Sequence, residues 1–97
     1  MSALRLLKYV RSFSDGRVRI RHPALQREDV VATAKEKLSA VDGVRSVEFN
    51  PLSGSVLILY DSTRLPRERL LAVGEAWAGY LDAVQAGDRP AQTPPDC

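Results

Sequence analysis

Thiol and imidazole chemistry is nearly missing from this chain. Its 97 residues hold one cysteine, Cys97 at the last position, and one histidine, His22. A single thiol excludes an intrachain disulfide and a thiolate cage for a soft metal ion, so Cys97 reads as an incidental tail thiol. Aromatic residues make up only 6% of the chain, and none lies between Phe13 and Phe49. That gap removes the stacking platform on which single-stranded RNA is read, so nucleic acid is not the expected partner. No run approaches the roughly 20 apolar residues that cross a bilayer, and no membrane insertion is expected. The segment Met1–Lys8 has too short an apolar core for a secretory signal, with Arg5 and Lys8 interrupting it; cytoplasmic residence is the expectation. Glycine-rich phosphate loops and metal-hydrolase motifs are likewise missing. The hydroxyls of Asp61-Ser62-Thr63 have no base paired with them and read as turn chemistry, so we expect no enzyme activity.

What is present suits one globular domain: 44% apolar and 27% charged residues, with a net charge of only +2. We place this domain at residues 1–87. Residues 88–97, with three prolines and little to bury, read as a disordered tail. Attraction for an anionic partner has to come from local clustering. Clustering is found: Arg5, Lys8, Arg11, Arg17, Arg19, Arg21 and Arg27 all lie in the first 27 positions, with Asp15 the only acid among them.

The run Gly16-Arg17-Val18-Arg19-Ile20-Arg21 alternates strictly, giving a strand with one apolar and one cationic face. Residues 3–13 fit either a helix or an interrupted strand. Ser14-Asp15-Gly16 signals a turn, so a hairpin into residues 17–22 is attractive, with Val10 beside Ile20 in one register and Phe13 beside Val18 in the other. From about Gln26, Val31, Ala34, Leu38 and Val41 recur at helical spacing, and Asp42-Gly43 ends the helix. Strands follow at 44–50, with Val47 and Phe49 on one face, and at 55–60. The second of these, Val56-Leu57-Ile58-Leu59-Tyr60, is apolar on both faces, which predicts a central strand or a sheet covered on both sides. A second helix begins near Pro66, with Leu70, Val73, Trp77, Leu81 and Val84 inward and Glu68, Glu75 and Asp82 on the polar side.

The elements from the alternating strand onward run β-α-β-β-α. With Val41-Asp42-Gly43-Val44-Arg45-Ser46-Val47, Asn50-Pro51-Leu52-Ser53-Gly54-Ser55-Val56, Tyr60-Asp61 and Ala78-Gly79-Tyr80, the chain resembles the heavy-metal-associated domain over roughly residues 16–80. That resemblance implies an α+β, ferredoxin-like two-layer sandwich: an antiparallel sheet with two helices on one face. It also implies a link to metal homeostasis, since such domains occur in copper chaperones and in metal-transporting P-type ATPases. Metal carriers of this kind place a Cys-x-x-Cys pair after the first strand, where this chain reads Arg21-His22-Pro23-Ala24-Leu25-Gln26-Arg27. The Gly-Arg-Val-Arg-Ile-Arg start is similar to the second-type branch, which lacks those cysteines. Members of that branch occur alone or fused to metal-transporting ATPases, some connected with iron. The family's last edge strand is missing too, because Leu81 to Gln85 continues the helical face. We expect the N-terminal segment to fill that edge by pairing with residues 17–22.

Two sites follow. Arg17, Arg19 and Arg21, with Arg11 or Lys8 nearby, either form an ordinary solvated face or await a negative partner; Glu48 on a neighbouring strand is one internal candidate. Either Val56 and Ile58 or Leu57 and Leu59 face away from the helices, and an aliphatic patch beside arginines has the composition of a docking or dimer surface. Arg11, Arg17, Arg19, Arg21, Leu57 and Leu59 are therefore the candidate docking surface, for a protein partner such as a metal-transporting P-type ATPase or for a second copy. His22 occupies the metal-carrier loop and is the candidate metal ligand, with Glu28 or Asp29 to complete a hard, oxygen-rich site; those two acids equally suit a helix N-terminus. No ligand set supports a resident cofactor. Trp77, Leu70 and Val73 read as core.

Overall fold

The computed structural model describes residues 4–87. The expected disordered tail at 88–97, with Cys97, lies outside the described residues. The chain opens with a one-turn helix α1 (Leu4–Leu7) and strand β1 (Val10–Ser14), then turns at Asp15-Gly16 into β2 (Arg17–Arg21). A 3-10 turn (Pro23–Gln26) leads into α2 (Glu28–Ser39). Strands β3 (Val44–Asn50) and β4 (Ser55–Tyr60) follow, and α3 (Arg67–Gln85) closes the described chain.

The sheet order is β1-β2-β4-β3, antiparallel throughout. β1 thus occupies the edge beside β2, as expected for an N-terminal segment standing in for a missing last strand. Residues 4–14 are both helix and strand, in succession. Both hairpin registers occur as well. Val10 pairs with Ile20 and Phe13 pairs with Val18, because a bulge between Val10 and Ser12 slips the ladder by one residue. The alternation that made the two registers exclusive holds only for an unbroken strand.

β4 is a central strand, flanked by β2 and β3. Val56, Ile58 and Tyr60 point inward and are buried with Val18 among Val30, Ala34 and Leu38 of α2 and Leu70, Val73, Trp77 and Leu81 of α3. Both long helices therefore cover this one face.

The start of α2 differs from the periodicity reading. Residues 23–26 form the separate 3-10 turn, whose Ala24 and Leu25 are core residues, and α2 begins at Glu28. Its inward side chains are Val30, Ala34 and Leu38, at intervals of four, while Val31 is only half-buried. Val41 is buried from beyond the helix end, because Ala40 is already the C-cap. Gly43 then takes φ +97, and a Cβ there would lie 2.9 Å from the Cβ of Leu65, so both the backbone angle and the close approach require glycine. α3 runs as its face predicts, with Leu70, Val73, Trp77 and Leu81 all buried.

Candidate functional site

The outer sheet face is built by register. Arg17 lies opposite Leu59 and Arg19 opposite Leu57, and on the far side Leu59 meets Ser46 and Leu57 meets Glu48. Because side chains alternate across a strand, Arg17, Arg19, Arg21, Leu57 and Leu59 share the face turned away from the helices. All three arginines are exposed, and the two leucines are half-buried between their neighbours. Arg11 sits at the bulge and, with Lys8, borders a depression that reaches Arg21 and Ser53, extending the cationic area around the sheet edge.

Glu48 does not answer these charges. It is two strands from Arg19 with Leu57 between them, a separation of roughly 10 Å. Among the described residues Arg17 and Arg19 have no ion-pair partner, and Arg21 uses its Nε–H on the carbonyl of Ser53, 3.0 Å away. Three arginines elsewhere on the surface are paired: Arg27 with Asp29, Arg45 with Asp61, and Arg64 with Asp42. Here three cations stand in a row beside aliphatic side chains, with no ion-pair partner among the described residues.

His22 is placed quite differently. It is 1% exposed, at the N-cap of the 3-10 turn. Its Nδ1 accepts the Ala24 N–H at 3.0 Å, which puts the ring proton on Nε2, and that atom donates to Asp82 Oδ1 at 2.9 Å. The Tyr9 ring lies 4.3 Å from the imidazole, and the Tyr9 hydroxyl donates to the same carboxylate. Both ring nitrogens are therefore engaged. Glu28 and Asp29 sit in the first turn of α2, where Arg27 holds Asp29 through two hydrogen bonds. No group of three or more His, Cys, Asp or Glu side chains able to hold a metal ion occurs among the described residues.

Asp82 and Glu75, which the α3 pattern put on a plain polar side, turn out to anchor the N-terminal segment. Glu75 Oε1 accepts the Leu6 N–H at 2.9 Å, and Asp82 takes Tyr9 and His22. Burial pushes the Asp82 carboxyl up, but the hydrogen bonds from Tyr9 and His22 outweigh it and hold the group below its ordinary value. No local motif marks this cluster, since its members are 73 and 60 positions apart. Asp61 accepts both the backbone N–H and the hydroxyl of Thr63, an Asx turn of the kind expected there.

A family profile, heavy metal associated domain 2, matches residues 6–85, nearly the whole described chain. This protein belongs to that family. The match begins within α1, so the N-terminal edge strand falls inside the family's domain and is not an appendage. Neither a curated protein nor a solved structure matches the chain. Heavy-metal-associated domains are generally non-catalytic modules of metal binding or protein interaction. Among the described residues no helix is long and apolar enough to cross a membrane.

Proposed function

We propose that this heavy-metal-associated domain works in metal homeostasis by docking, through the outer sheet face formed by Arg17, Arg19, Arg21, Leu57 and Leu59. The partner is an acidic segment with aliphatic side chains, belonging to a cytoplasmic portion of a metal-transporting P-type ATPase. Iron is the metal such a system would serve. One observation carries this reading: three arginines in a row, beside two half-buried leucines, with no ion-pair partner for them among the described residues. Like charges about 7 Å apart along a strand repel one another, and an anionic partner relieves that repulsion while the leucines lose their remaining contact with water. Resemblance to the cysteine-free branch supports the metal side of the proposal. The lack of a cysteine pair supports recognition by surface complementarity in place of thiolate transfer.

The test is affinity capture at low salt with the wild-type chain beside Arg17/Arg19/Arg21→Glu. A metal-transporting ATPase held by the wild type, released by the triple variant and weakened by added salt is the expected result. Equal retention by both baits would reduce the row to solvated surface.

A further inference from the structure

The inner face of the sheet and the helices over it border a partly open apolar cavity of about 390 Å3. Protein interiors normally leave few voids larger than a water molecule, so a space of this size departs from ordinary packing. It is instead the size of a ligand site. Its lining reaches from Phe13 on β1 to Phe49 on β3, the two edge strands. With strands roughly 4.8 Å apart, the cavity crosses about 14 Å of sheet. Its volume is sufficient for one hydrocarbon chain of medium length.

The wall has a single charged member, Arg67 at the first position of α3. This guanidinium is exposed and has no ion-pair partner among the described residues. Three large apolar side chains are exposed among the described residues, and two of them, Leu7 and Phe13, belong to the same lining. An apolar slot that reaches the surface at greasy side chains and carries one cation fits an amphiphile with one anionic head. Guanidinium geometry favours a carboxylate, which it holds through two parallel hydrogen bonds.

We propose that this cavity binds a fatty acid of medium chain length, with the hydrocarbon between sheet and helices and the carboxylate on Arg67. The site lies across the sheet from the arginine row, so it stands or falls independently of docking. Burial of the chain supplies the affinity and Arg67 selects the head group.

Trp77 is the only tryptophan and lies on the wall, so its fluorescence reports occupancy directly. The full chain is titrated with dodecanoate below its micelle-forming concentration, and with dodecanol and dodecyltrimethylammonium in parallel. Saturation at one dodecanoate per chain is expected, with a raised thermal midpoint. Arg67→Gln should weaken dodecanoate about tenfold and leave dodecanol unchanged. The variant Arg17/Arg19/Arg21→Glu should bind dodecanoate like the wild type, which separates this site from the outer face. The proposal is overturned if dodecanoate fails to saturate. It is equally overturned if the cationic amphiphile binds as tightly, or if Arg67→Gln binds dodecanoate like the wild type.

Discussion

His22 shows how much one buried side chain holds together. Its two nitrogens tie the 3-10 turn to Asp82 on α3, and its ring packs against Tyr9 from the N-terminal segment. His22→Ala leaves the Ala24 N–H without its acceptor in a buried turn and opens a hole beside Tyr9. We expect a loss of about 2–4 kcal/mol, read as a lower denaturant midpoint; an unchanged midpoint would mean the imidazole is dispensable to the fold. Gly43 is the second sensitive position. Gly43→Ala puts a methyl against Leu65 at a left-handed backbone angle, and about 2 kcal/mol of destabilisation is expected in equilibrium unfolding. Gly43 was legible from sequence as a helix stop. The tertiary contact that makes alanine costly there was not, because Leu65 lies 22 positions away across β3 and β4.

Attachment of the α1–β1 unit rests on α3 as much as on the sheet. Leu6 is buried against Gly74, where a Cβ would approach its Cδ2 to 2.6 Å, and Glu75 and Asp82 accept from Leu6 and Tyr9. The Asp82 carboxyl is held below its ordinary value when folded. Its contribution is therefore complete above the unfolded-state value and is lost as pH falls through the folded one, a window below about pH 4. Unfolding free energy should decline across that window, with Asp82→Asn flattening part of the fall. Asp61 and Asp29, also lowered by their hydrogen bonds to Thr63 and Arg27, account for part of the remainder. If the wild type and Asp82→Asn decline in parallel, the carboxylate is not a clasp. Removal of residues 1–14 strips β2 of its edge partner and bares Val18 and Ile20. A chain that lacks a cooperative thermal transition is expected, checked by calorimetry.

Over the molecule as a whole, the two sheet faces differ in burial and charge, and their responses to mutation should differ. Arg17/Arg19/Arg21→Glu touches no buried group, so its unfolding free energy should stay within about 0.5 kcal/mol of the wild type. Arg19→Ser should slightly raise stability at low salt and match the wild type at high salt, because it relieves like-charge repulsion that ions otherwise screen. A drop of several kcal/mol in either variant would make the row structural and undercut docking. Inward substitutions at Val56 or Ile58 should instead cost what core residues cost, about 1–5 kcal/mol on truncation to alanine.

Alternation in β2, the two-sided strand β4 and the face of α3 were readable directly, since strand and helix periods are local properties of the backbone. From them followed the arginine row and two places for β4, as a central strand or in a sheet covered on both sides; the pairing shows the first. The layer arrangement was implied by the family resemblance. The bulge in β1 escaped a period-two reading because one extra residue satisfies two registers at once, and only pairing with β2 shows where it sits. The beginning of α2 escaped because Pro23 to Gln26 continues the apolar spacing in a tighter turn. Least legible of all was the cluster of Tyr9, His22, Glu75 and Asp82. Polar residues on an amphipathic helix look alike in sequence whether they meet water or a buried imidazole, and the difference arises only when distant segments pack.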